Sequence, residues 1–209
     1  MTNPEHVSPA PDVAAARLQA CDLASGLVGP VSFLLAKGQC LCVTGPSGAG
    51  KTRLLRLLAD LDEGRGEVFL DGVARSAFTA PQWRARVLYQ AAESSWWLPS
   101  VIAHFRPEQH DEAVQLASRL GLGAERLAAD VTQLSTGERQ RALLVRSLLK
   151  KPDVLLLDEP SSALDAGNVA RMEALLQEKM QGGLAMLLVT HSREQETRLA
   201  DGAIALEKR

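Results

Sequence analysis

"GPSGAGKT", residues 45–52, decides how this chain folds. It has the spacing G-x-x-x-x-G-K-[ST], follows an apolar run at 39–43 and precedes leucines at 54, 55, 57 and 58. Strand, glycine-rich loop and helix in that order form the context in which this spacing cradles phosphate. Glycines let the backbone bend until several N–H groups point at one anion. The helix that follows adds roughly half a positive charge at its N-terminus. Gly45, Pro46, Ser47, Gly48, Ala49 and Gly50 then wrap the phosphates, Lys51 reaches the β- and γ-phosphates, and the Thr52 hydroxyl ligates Mg²⁺. The plain alternative is a strand–helix turn with an exposed lysine.

Outward from this loop, strand patterns alternate with helical ones. "ARLQAC" from Ala16, "PVSFLLAKG" from Pro30 and "QCLCVT" from Gln39 read as strands, with Lys37-Gly38 a turn. "GEVFLDG" is a strand ending in an Asp-Gly turn, and "RVLYQ" is a short strand ahead of a loop with Trp96 and Trp97. Residues 110–121 read as an amphipathic helix closed by Gly121, and 166–181 as another helix. "KPDVLLLDEP" and "LAMLLVTHS" are buried strands, and "GAIALEK" closes the chain. This order predicts an α/β core with a largely parallel sheet. The stretch from about 91 to 150 reads mostly helical and interrupts the alternation. Pro4, Pro9 and Pro11 mark residues 1–13 as a loose arm ahead of one domain at 14–209.

Asp158 and Glu159 end the apolar strand "VLLLDEP". Neighbours on a strand point to opposite sides, so one carboxylate can face Mg²⁺ and the other a water near the γ-phosphate. Asp158 is assigned to the metal, through water, and Glu159 to activating the attacking water. His191 follows "LLVT" and emerges at the same sheet edge, where open α/β folds bind ligands. Gln90 follows "VLY"; on its own it is only a polar loop residue.

"LSTGERQR", 134–141, has the S-x-x-E spacing of a capping box in Ser135 and Glu138, with Gly137 between. Such a turn caps a helix and can also hold a phosphate. The first phosphate loop already surrounds its own nucleotide, and this turn lies beyond the helical stretch. The reading that follows is a head-to-tail pair of chains, each turn closing over its partner's ATP.

The order of these features resembles the ATP-binding subunit of ABC transporters from about residue 17 onward. Residues 45–52 look like Walker A, Gln90 the Q-loop, 134–138 the signature, 154–159 Walker B, 162–165 ("SALD") the D-loop and His191 the switch histidine. The resemblance implies a P-loop NTPase: a RecA-like core with an antiparallel β-subdomain and an inserted helical subdomain. It implies ATP hydrolysis with Mg²⁺ in a homodimer or heterodimer beneath transmembrane permease subunits, on the cytoplasmic inner face of the membrane. By the same resemblance Gln90 senses Mg²⁺ and links to the permease, Asp165 works across the dimer, and His191 contacts the γ-phosphate. The stretch "VLYQAAESSWWLPSVIAHF" is similar to small bacterial ABC subunits of metal-ion export.

Three departures from that pattern stand out. Thr136 replaces a glycine of the usual LSGGQ, and a β-branched residue there is strained if its φ is positive. No aromatic residue precedes Phe33; Leu23 takes the position on which adenine usually stacks, so GTP is expected to compete with ATP. Trp96 and Trp97 lie beside Pro99 where the family meets its permease, with one ring expected inside the lobe and one outside.

Composition narrows the rest. A net charge of −2 gives no reason to expect nucleic acid. No apolar run approaches the ~20 residues of a membrane span, so membrane contact comes only through a partner. No basic-then-apolar leader is visible. Three cysteines are too few for a disulfide framework, and Cys40 and Cys42 read as buried thiols rather than a metal pair. The competing functions are a soluble ABC ATPase of DNA repair or translation, a regulatory nucleotide-binding subunit, and another P-loop kinase or GTPase. The single cassette without coiled-coil insertion, the presence of Glu159 and the lack of N-K-x-D count against them in turn.

Overall fold

The computed structural model describes residues 16–93 and 95–208; the expected arm at 1–13 lies outside them. In chain order the strands are β1 (Ala16–Ala24), β2 (Val31–Ala36), β3 (Cys40–Thr44), β4 (Arg65–Leu70), β5 (Val73–Ala74), β6 (Val87–Gln90), β7 (Val154–Asp158), β8 (Ala185–Val189) and β9 (Gly202–Ala205). The helices are α1 (Lys51–Leu58), α2 (Ala80–Arg86), α3 (His110–Arg119), α4 (Ala124–Ala128), α5 (Thr136–Leu148), α6 (Ala166–Gln181) and α7 (Arg193–Leu199).

Two sheets result. An antiparallel sheet has the order β2-β1-β4-β5, and a five-stranded sheet has the order β6-β7-β8-β3-β9 with each neighbouring pair parallel. The central strands β3, β7 and β8 are buried along nearly their whole length because both faces are covered. Their period of two divides the core. Val154, Leu156, Leu187 and Val189 pack with α1 and the antiparallel sheet, whereas Leu155, Leu157, Met186 and Leu188 pack with the helical lobe. Cys40 and Cys42 lie buried and unbridged in β3, with burial pushing their thiols up to about 12 and about 11. The expectation of buried thiols holds, and no group of three or more His, Cys, Asp and Glu suited to a metal occurs among the described residues.

The two sheets are joined by a closed ring of charge. Arg17 bridges Asp71 (2.8 Å) and Asp153 (3.1 Å), and Arg86 meets Asp153 (2.6 Å) and Asp71 (3.1 Å). These groups are partly exposed, so each pair contributes modestly beside the buried apolar core that the two sheets share.

The loop expected at Trp96 and Trp97 is present: among the described residues, 91–101 contain no helix, Ser100 forms an isolated bridge with Asp130, and the helical stretch starts after it. A loop without apolar periodicity, held by Arg146 donating to the Ser95 carbonyl (2.8 Å), occupies that stretch. Helix α2 was not foreseen. The Thr79 N–H donates to Gln82 Oε1 (2.9 Å) at its start, and fully buried Trp83 donates through Nε1 to the Leu58 carbonyl (2.8 Å).

Candidate functional site

The phosphate loop forms where β3 ends and α1 begins. Gly45, Gly48 and Gly50 have φ of 145°, 81° and 91°, and Gly50 is the N-cap of α1. A Cβ on Gly45 would lie 2.5 Å from the Leu206 carbonyl oxygen, and one on Gly50 2.8 Å from Val28 Cγ2. Conformation and space therefore both require glycine at these two positions. Lys51 Nζ folds over the loop, donating to the carbonyls of Gly45 (2.8 Å) and Pro46 (3.2 Å).

A cavity of about 400 Å³ opens at this loop. Ser47, Gly48, Gly50, Lys51 and Thr52 line one side, Glu159 and His191 another, and Leu27, Arg53, Arg56 and Asp62 the margin. An open concavity with N–H groups, a lysine and a helix N-terminus fits a nucleotide's phosphates. Arg53 (3.0 Å) and Arg56 (2.8 Å) both pair with Asp62, and the hydrogen bond from Arg56 holds that carboxyl below its usual range. This margin was not legible in the sequence, because Leu27, the two arginines of α1 and Asp62 meet only through tertiary placement.

Glu159 reaches the cavity through its backbone. It lies just past the end of β7 with a φ of 48°, and it lines the cavity while its neighbour Asp158 does not. Its N–H donates to the Val189 carbonyl (2.9 Å), and its own carbonyl accepts from Gln140 Nε2 (2.9 Å). The carboxylate lies 3.0 Å from His191 Nε2. A strained conformation held by fixed bonds is typical of a working residue. Asp158 is buried and accepts from the Tyr89 hydroxyl (3.1 Å), with burial chiefly raising the phenol's pKa.

Asp158 and Gln90 are not among the residues lining that cavity. Gln90 lines a smaller one of about 140 Å³, with Glu93, Arg146 and Lys150. There it is buried with Oε1 lacking a hydrogen-bond partner. Beside it, the Arg146 guanidinium lies 4.5 Å from the Trp96 ring and 5.1 Å from the Trp97 ring. Burial lowers the Arg146 pKa. Trp96 is half-buried and Trp97 is 70% exposed, as expected of one ring in and one out.

The turn at 134–138 begins α5 as a capping box. Glu138 N–H donates to Ser135 Oγ (3.2 Å), and Ser135 N–H donates to Glu138 Oε2 (2.8 Å). Thr136 is not among the residues with positive φ, so it is unstrained. A Cβ on Gly137 would lie 2.8 Å from the Ala163 carbonyl oxygen, so this glycine permits close approach of the 162–165 loop. Asp165 caps α6, accepting from the Asn168 N–H (2.9 Å). Sequence reasoning missed Gln140, which is buried on α5. It donates to the Glu159 carbonyl and to Ser162 Oγ (3.2 Å), and accepts from the Ala163 N–H (3.1 Å).

The expectation that Leu23 meets adenine is corrected: Leu23 is fully buried, and Leu27, 63% exposed, lines the cavity at the phosphate loop. A bulge in β1, with Asp22 at φ 48°, shifts the register after Ala20 and turns Leu23 into the core.

Residues 28–162 match the family model described as ABC transporter. The chain is 35% identical over 187 residues to an aliphatic sulfonates import ATP-binding protein of Burkholderia cenocepacia, covering 86% of this chain and 68% of that protein. It is 36% identical over 178 residues to one from Yersinia pestis, covering 83% and 65%. In fold it is similar to a solved structure of the ATP-binding subunit of an ABC transporter, with a TM-score of 0.80 at 20% identity over 91% of this chain and 87% of that one. A dimeric bacterial ABC transporter cassette, MJ0796, matches with a TM-score of 0.78 at 21% identity over 91% and 94%. The Burkholderia and Yersinia relatives are named for aliphatic sulfonate import, rather than for the metal-ion export that the stretch at 87–105 resembles.

Proposed function

The chain belongs to the ABC transporter family, as an ATP-binding subunit that hydrolyses ATP, and from that premise we propose how its residues do so. One observation carries the reading: the phosphate loop, Glu159 and His191 line a single cavity, with Glu159 and His191 in contact at 3.0 Å. Backbone N–H groups of 45–50 and Lys51 bind the phosphates. Glu159 takes the proton of the attacking water, and His191 holds the Glu159 carboxylate in place and meets the γ-phosphate. Thr52, which lines the cavity, would hold Mg²⁺ together with Asp158, through water, and Gln90, both of which lie outside that lining. A Mg²⁺ ion held there would supply positive charge to offset the negative charge that develops on the phosphate oxygens.

Two copies pair head to tail, so that Ser135, Gly137 and Asp165 of each complete the other's site. The pair binds permease subunits on the cytoplasmic face of the membrane. Among the described residues, no helix is long and apolar enough to cross it. Import follows the relatives' names, and a sulfonate is the first substrate class to assay. The pairing is tested by trapping: a Glu159→Gln chain should dimerise with ATP and separate without it. A chain that stays single at saturating ATP overturns the pairing.

Two consequences concern the margins of the site. Leu27 offers the base aliphatic surface without base-specific hydrogen bonds. GTP should therefore displace labelled ATP with a half-point within about tenfold of ATP's own. Strong exclusion of GTP in that competition would contradict the assignment. Trp97 supplies an exposed apolar contact for the permease, with Trp96 and Arg146 as its support. Trp97→Ala should uncouple ATPase activity from transport in reconstituted vesicles while changing ATP affinity less than about twofold. Unchanged coupling would move the permease contact elsewhere.

A further inference from the structure

We propose that Arg126 is a positioning residue: it neutralises the carboxylate of Glu138, so that an acidic signature turn can close over the triphosphate held by a second copy. The inference rests on the head-to-tail pairing above.

Glu138 sits in the first turn of α5, and its Oε2 accepts the Ser135 N–H. A carboxylate there favours the helix itself. It also spends the positive end of the helix and repels any further anion aimed at the same N–H groups. The first turn of α5 is where a partner's phosphate has to approach. Left bare, the residue that builds the turn would oppose its use.

Arg126 reaches this carboxylate from α4, a separate helix of five residues. Its Nε lies 2.7 Å from Glu138 Oε1 and its Nη2 2.9 Å from Oε2, a two-pronged match. Nη2 also donates to the Gln133 carbonyl (2.9 Å), tying the guanidinium to the backbone just ahead of the turn. Arg126, more than any other group, holds the Glu138 carboxyl down at about 2. Near neutral pH that charge cannot be shed by protonation and has to be offset. The pair presents no net charge, as a glutamine would at this position.

A simple brace between α4 and α5 predicts a different outcome, and a charge-reversal cycle separates the two. Each variant is made in the Glu159→Gln chain, and dimer formation is followed by sedimentation velocity against ATP at low ionic strength. Arg126→Ala should raise the ATP concentration for half-dimerisation about tenfold, the effect of one uncompensated surface charge near another. Adding Glu138→Gln should return it to within about twofold, the spread ordinary for a surface substitution. The Arg126→Ala deficit should shrink in ~1 M salt, where the screening length is about 3 Å. Glu138→Gln alone, which keeps the cap, should leave the half-point unchanged or lower it.

A double variant as weak as Arg126→Ala overturns the inference, and so does a weakened Glu138→Gln single variant. Should Arg126→Ala fail to fold, Arg126→Gln with and without Glu138→Gln reads the same rescue. Absence of any dimer in the parent, with Arg126 and Glu138 intact, overturns the pairing itself and this inference with it. A dimer that forms in the parent and ignores both substitutions overturns the inference alone.

Discussion

A Glu159→Gln chain is expected to hydrolyse ATP about 10³-fold more slowly than the unaltered chain while binding it equally well, since a positioned base contributes ~10²–10⁴. The substitution is nearly isosteric and leaves the backbone arrangement alone. The N–H still donates to Val189, and the carbonyl still accepts from Gln140. Those two bonds hold the φ of 48° that aims the side chain into the cavity, a conformation that costs ~1–2 kcal/mol outside glycine. Glutamine can still meet His191, so contact with the histidine is kept while the proton acceptor is lost. Phosphate release at saturating ATP measures the effect. A variant retaining more than about a tenth of the rate would remove Glu159 from the role of base. If the proposed pairing holds, the same variant is expected to accumulate the nucleotide-bound dimer, because closing would survive and the hydrolysis that reopens it would not.

The position of Gln140 gives this base a second dependence. One amide side chain on α5 touches the Glu159 carbonyl, Ser162 and the Ala163 N–H. The helix that begins at the signature turn is thereby bonded to the strained residue of its own site and to the loop Gly137 packs against. A shift of α5 as a partner's nucleotide docks would be felt at Glu159 through fixed bonds rather than through a mobile chain.

The parts of the fold carried by strong periodicity and fixed spacing were legible in the sequence. The phosphate loop, the buried strands ending at Asp158 and Val189, and the helix at 166–181 depend on local pattern, and they lie where that pattern puts them. The misses share a different physics. Leu23 lies in the core because a bulge in β1 shifts the register between Ala20 and Leu23, and a bulge leaves little mark on alternation. Helix α2 has seven residues with Trp83 its only buried one, too few to show a helical period. Arg126 and Glu138 meet across two helices, and Asp62 meets two arginines of α1; contacts of that kind depend on tertiary placement. Gln140 is invisible for the same reason, since nothing local separates a buried glutamine from an exposed one on a helix.

Lys51→Ala is expected to weaken ATP binding by about 100-fold or more, because each hydrogen bond to a charged group contributes ~1.5–3 kcal/mol. The lysine has two tasks. It is the side-chain cation at the loop itself, since the other two cations of the cavity, Arg53 and Arg56, are paired with Asp62 at the margin. It also clasps the loop, with Nζ bonded to the Gly45 and Pro46 carbonyls. Alanine removes both the charge and the clasp, and Lys51→Arg separates them. Arginine keeps the charge but presents a rigid fork in place of a compact ammonium, so it should recover only part of the affinity. Titration calorimetry gives the affinities, and thermal unfolding with and without ATP gives an independent reading. At ATP one hundred times its dissociation constant, the unaltered chain should gain about 2.7 kcal/mol of stability. The alanine variant should gain far less at that concentration. If it kept the full gain, the N–H groups and the helix N-terminus would suffice to hold the phosphates. Lys51 would then act on the developing charge during hydrolysis, and its loss would appear in kcat rather than in binding.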